Sequence, residues 1–146
     1  MNKKTLFPVA VVAVAGVFAL EGCQNMTLSG TSALATTCDQ TNCHITVYVT
    51  PAGGLRVDKD PLAITKRNIN VQWDIDQDTS GDYKFADTDG IRFASDPSGQ
   101  FNCNVTGNGK KFLCAAKNTV PGDYKYSIKL IGPNTITLDP TIKNQG

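Results

Sequence analysis

Ile69 to Asp76, INVQWDID, alternates apolar and polar residues at every step: Ile69, Val71, Trp73 and Ile75 against Asn70, Gln72, Asp74 and Asp76. A period of two is the signature of a strand with one face buried and the other wet. His44 to Val49 repeats the pattern, with Ile45, Val47 and Val49 set against His44, Thr46 and Tyr48. Shorter runs follow at Tyr83-Lys84-Phe85, Ile91-Arg92-Phe93, Tyr124 to Leu130 and Ile136 to Leu138, with Gly, Pro, Asn and Asp between them. Every acidic residue after Glu21 is aspartate, which suits turns and disfavours a helix-rich fold. The pattern predicts an all-β chain, an antiparallel Greek-key β-sandwich of about 7–9 strands forming a single domain over residues 38–146.

Within that domain, CNVTGNGKKFLC (Cys103 to Cys114) carries the strongest hairpin signal, Asn108-Gly109, because a type I′ turn needs positive φ at both central residues. Pairing outward sets Gly107 against Lys110, Thr106 against Lys111, Val105 against Phe112, Asn104 against Leu113, and Cys103 against Cys114. Directly opposed Cα atoms lie about 4.5–5.5 Å apart, within reach of a disulfide. Cys38 and Cys43 are then left for each other across Asp39-Gln40-Thr41-Asn42.

The N-terminal residues belong to an address rather than to the fold. Two lysines precede an apolar run from Leu6 to Leu20, broken only by Pro8. This reads as a bacterial secretion signal over residues 1–22, and the run is shorter than the roughly 20 residues a membrane span requires. Leu20-Glu21-Gly22-Cys23 resembles the lipobox of bacterial lipoproteins, in which the cysteine is lipidated and becomes the new N-terminus. Leu20, Gly22 and Cys23 match; Glu21 departs from the usual small neutral residue, and Val17-Phe18-Ala19 offers a competing signal-peptidase site. The five cysteines favour the lipid, since lipidation of Cys23 leaves four for two disulfides in an oxidising compartment. Gln24 to Thr37, without charge or aromatic residue, completes a lipid-anchored tether over residues 23–37, which as a flexible coil spans about 20 Å.

Charge and site chemistry narrow the function classes. Removing Lys3, Lys4 and Glu21 from the fourteen basic and thirteen acidic residues leaves twelve of each, so no basic surface invites nucleic acid. Trp73 to Gly90 holds six aspartates, and Asp74-Ile75-Asp76-Gln77-Asp78 imitates the start of an EF-hand loop. The imitation ends at Thr79, where the loop requires glycine, and at Phe85, where it requires a bidentate glutamate. Strand alternation accounts for Asp74 and Asp76 without a metal, which leaves Asp78, Asp82, Asp87 and Asp89 as residues that could converge on calcium.

Pro121 to Gly132, PGDYKYSIKLIG, resembles the cupredoxin strand in which Gly-x-Tyr-x-aromatic leads into the copper loop. The resemblance implies a cupredoxin-like sandwich over Ile45 to Leu138. The metal does not carry over: Ile128 stands where the copper proteins place a cysteine, Ile131 where a histidine falls, and no methionine follows Met26. Gly122-x-Tyr124-x-Tyr126 also resembles the tyrosine corner of immunoglobulin-like domains.

Cys38-x4-Cys43-His44 is a widened form of the haem-attachment signature, with His44 as the proximal ligand. Nucleophilic catalysis lacks a base, since the sole histidine adjoins a cysteine expected to be oxidised. No aspartate pair has the apolar setting that tunes an acid–base dyad. The sequence therefore points to a lipid-anchored envelope module that binds a protein partner or stiffens a surface assembly, with no enzyme activity and no cofactor. The alternative is a periplasmic metal or haem carrier using the aspartate loop or the Cys38–His44 segment. Gln24 after Cys23 permits outer-membrane sorting, facing the periplasm, in a Gram-negative host.

Overall fold

The alternation of Ile69 to Ile75 becomes a strand whose odd-numbered residues are all buried and whose even-numbered residues face outward. The computed structural model describes residues 34–146; Cys23, the signal and most of the tether lie outside them. In chain order the strands are β1 (Thr36–Cys38), β2 (Asn42–Val49), β3 (Leu55–Val57), β4 (Leu62–Ile64), β5 (Ile69–Ile75) and β6 (Lys84–Phe85). They continue with β7 (Ile91–Phe93), β8 (Phe101–Thr106), β9 (Lys111–Ala116), β10 (Gly122–Ile131), β11 (Ile136–Leu138) and β12 (Thr141–Asn144).

They form two sheets. One has the order β3-β2-β5-β9-β8; the other runs β1-β4-β12-β10-β11, with β6 and β7 also on β10. Ile128 of β10 faces both Leu138 of β11 and Ile91 of β7, so this ten-residue strand is paired along both edges.

The sheets are mixed, which corrects the expectation of a purely antiparallel sandwich: β2 pairs β5 in parallel, and β4 lies parallel to both β1 and β12. The physical reason lies in the connections. Alternation dictates which face of a strand is buried but not its direction, and between β2 and β5 the chain crosses to the other sheet to make β4. The strand count also exceeds the expected range, because two- and three-residue strands carry too little alternation to be read. The tether boundary moves as well: β1 begins at Thr36, so Thr36 and Thr37 belong to a sheet edge, where Thr36 N donates to Pro61 O at 3.0 Å.

Between the sheets, Trp73 is fully buried and meets Tyr126 edge to face at 5.4 Å between ring centroids. Its Nε1–H donates to the Tyr126 hydroxyl at 3.2 Å, so the indole's polar atom is satisfied across the core. Burial pushes the Tyr126 phenol pKa well up and keeps the hydroxyl neutral. Phe85 and Phe112 make a second edge-to-face pair between the sheets. Phe93 on β7 stacks on Phe101 of β8 at 3.9 Å and closes the side of the sandwich where these two strands are the edges.

The hairpin has the expected register, from Thr106 opposite Lys111 to Cys103 opposite Cys114. Asn108 (φ 55°, ψ 34°) and Gly109 (φ 82°) both take the left-handed conformation, and Lys110 N donates to Gly107 O at 3.0 Å. Those values are the type I′ geometry that Asn-Gly signals.

Candidate functional site

Both disulfides form. Cys103 and Cys114 join across directly opposed positions of β8 and β9 with their Cα atoms 4.0 Å apart. Cys38 and Cys43 join at 6.0 Å, and this bridge links β1 in one sheet to β2 in the other.

A polar cluster lies on the outer face of the five-stranded sheet, and alternation puts it there. Asp74, an outward residue of β5, stands opposite Thr46 on β2 and Lys111 on β9. Gln72 Nε2 donates to both of its carboxylate oxygens at 2.8 Å, Lys111 Nζ lies 3.1 Å from Oδ1, and His44 Nδ1 lies 3.2 Å from Oδ2. Burial would raise the Asp74 pKa, but the hydrogen bonds from Gln72, His44 and Lys111, with the lysine's charge, outweigh it and hold the carboxyl below its ordinary range. Four contacts fill the roughly four lone-pair sites of a carboxylate. The cluster is thus a closed ion-pair network beside a cleft of about 460 Å³ that Asp76, Gln77, Ser80 and Lys110 also line.

The aspartates considered for calcium are not brought together. Asp78 and Asp82 are exposed in the loop between β5 and β6 and Asp87 is exposed in the next loop, while Asp89 is engaged by Lys129 Nζ at 2.7 Å. Asp76 turns its Oδ2 back to accept from Thr79 N at 3.1 Å, a local turn contact rather than a ligand pose. Among the described residues no three His, Cys, Asp or Glu side chains gather as a metal site. Melting curves in chelator and in millimolar calcium are expected to coincide. Binding to the native state at roughly 100 times the dissociation constant would add about 2.7 kcal/mol, so a clear upward shift in calcium would overturn this expectation.

The Cys38–His44 segment is built differently from a haem site. Both sulfurs are committed to the bridge, and His44, 59% exposed, leans on Asp74. Of the positions where the copper proteins carry ligands, Ile128 is fully buried in the core and Ile131 lies at the surface.

Sequence reasoning missed a set of buried amides at the end of the sandwich where β4 and β12 finish. Gln100 Oε1 accepts from Thr119 N at 2.9 Å and Val120 N at 3.1 Å. Asn118 Nδ2 donates to Ile64 O at 3.2 Å and Lys66 O at 3.0 Å, and its Oδ1 accepts from Gly146 N at 3.3 Å. Tyr124 adds a bond from its hydroxyl to Val120 O at 3.2 Å. Asn118 sits at φ 48°, the one local sign that this residue shapes a loop from within.

Compared with known protein families and with curated proteins, the chain matches none.

Proposed function

We propose that the protein is a lipid-anchored module of the bacterial cell envelope that binds or braces another envelope protein and carries out no catalytic step. The observation that carries this reading is how the chain enters the sandwich. β1 is a three-residue edge strand, Leu34 before it is 97% exposed, and every core residue among those described lies at or beyond Cys38. A module of this kind folds around its own core and hangs from its leading residues, as a lipoprotein with Cys23 at the membrane would. The two disulfides suit an oxidising compartment, and Gln24 supports the periplasmic face of an outer membrane in a Gram-negative host.

The finer fold reading within this proposal is a Greek-key sandwich of cupredoxin-like or immunoglobulin-like type. The Tyr124 hydroxyl bond to the backbone four residues upstream supports the tyrosine-corner variant. The competing role of metal or haem carrier draws no support from the closed Asp74 network or the bridged Cys38 and Cys43, and metal analysis of the purified protein separates the two.

Cys23→Ser is expected to move the protein from the membrane fraction to the soluble fraction, with the module's circular dichroism unchanged. Fractionation of the variant with membranes like the parent would sink the lipoprotein reading.

A further inference from the structure

β1, β4 and β12 lie side by side and run the same way. Thr36, Thr37 and Cys38 pair with Leu62, Ala63 and Ile64, which pair in turn with Ile142, Lys143 and Asn144. The leading end of β1 and the trailing end of β12 therefore point toward opposite ends of the sandwich. A load drawn between those two ends runs along the strands. The ladder hydrogen bonds lie across it and must yield together, whereas bonds loaded one at a time at a strand's end fail in sequence.

We propose that this parallel patch, backed by the Cys38–Cys43 bridge, is a mechanical clamp that resists force drawn between the leading residues and the trailing end of β12, beside which loops 65–68 and 117–121 lie. The proposal rests on the anchored-module reading for its biological load, while its physical content does not.

At the leading side β1 is short, and three residues alone would peel. Its last residue is held twice, since Thr65 N and Thr65 Oγ1 both donate to Cys38 O at 3.2 Å. Beyond Cys38 the bridge passes the load straight to Cys43, so the chain from Asp39 to Asn42 cannot be drawn out. Cys43 belongs to β2, which pairs with β5 over six positions and with β3 along its other edge. A break at β1 thus meets the longest parallel ladder of the other sheet instead of running on.

At the far side, β12 is held between β4 and β10. Gln145 N donates to Ile64 O at 3.0 Å, and Asn118 bonds Ile64 O, Lys66 O and Gly146 N. These contacts tie the ends of β4 and β12 to one loop, so a pull on the trailing residues is shared between both strands.

Single-molecule pulling on the full chain tests the clamp. One pair of handles, on click-reactive residues at position 34 and after Gly146, loads β1 and β12 lengthwise. A second pair at exposed positions 78 and 134 follows β5 and β10 at one end of the sandwich and pulls the sheets apart there. The first geometry is expected to yield at a force roughly twofold or more above the second, because forced unfolding reports the barrier along the loaded path. Joint replacement C38S/C43S is expected to lower the force in the first geometry only. Reduction should lengthen the released chain by about 45 Å, the slack in the 5- and 11-residue separations the bridges close.

Equal forces in the two geometries of the parent protein would overturn the clamp, whether or not the double variant folds. So would a folded double variant that yields at the parent's force. Failure of the anchor reading would show in the Cys23→Ser fractionation and leave these forces untouched.

Discussion

Trp73→Ala is expected to cost about 3–5 kcal/mol, the range for deleting a large buried aromatic, and so a large part of the roughly 5–15 kcal/mol that holds a domain folded. The side chain is fully buried and reaches from β5 to Tyr126 on the opposite sheet. Its removal opens a cavity between the sheets and strips the Tyr126 hydroxyl of its partner in a place water does not reach. Trp73→Phe keeps most of the apolar volume and is expected to lose less, with the orphaned hydroxyl contributing about 1–3 kcal/mol of the cost. Adding Tyr126→Phe to Trp73→Phe removes the orphan, so the double variant should be more stable than the two single losses sum to. Urea unfolding followed by circular dichroism measures all three. A Trp73→Ala protein within about 1 kcal/mol of the parent would mean that this residue is not the centre of the core.

Inserting one residue between Asn108 and Gly109 is the second large effect. The β9 side of the turn has no slack: Lys110 O accepts from Ile75 N at 3.0 Å, and its Nζ donates to Gly81 O at 2.9 Å and Tyr83 O at 2.7 Å. β9 also holds Phe112, Cys114 and Ala116 in the core. The edge strand β8 must therefore take up the extra residue, and a one-residue slip turns its inner face outward. Cys103 then no longer meets Cys114, and Phe101 leaves Phe93. Loss of a bridge around a loop of this length costs roughly 3 kcal/mol by itself. Gly109→Ala is expected to cost less, about 1–2 kcal/mol for a side chain at positive φ, with its Cβ pressed to 3.1 Å from Lys84 Cβ. Disulfide mapping under nonreducing conditions accompanies the unfolding. An insertion variant that keeps Cys103 joined to Cys114 at parental stability would show that the turn, not the register, absorbs the residue.

The faces of β2 and β5 and the whole Cys103–Cys114 register were legible because both depend on short-range rules, period two and a two-residue turn. Strand direction was not, since the parallel pairing of β2 with β5 depends on where the chain goes in between. β4 was hidden for a related reason: Leu62, Ala63 and Ile64 are all buried, and three apolar residues without alternation announce nothing. Nothing in the sequence marks the role of Gly90. It is a packing position, where a Cβ would stand 2.6 Å from Ala86 O and 2.9 Å from Phe112 Cε2. Of the candidate site, the sequence could show that Asp74 faced outward, but not that His44 and Lys111, 30 residues before it and 37 after it, would close around it.

The position of the second bridge bears on how copies of the protein coexist. β8 is the last strand of its sheet, and its outer backbone groups are the kind that recruit a strand from a neighbour. On the proposed lipid anchor, copies sharing one surface would meet far more often than chains free in three dimensions, and a hairpin at a sheet edge is an element that neighbours can trade. Cys103–Cys114 ties β8 to its own β9 covalently. Trading β8 alone would require the bond to be reduced, so only exchange of the whole β8–β9 hairpin would leave the bridge intact.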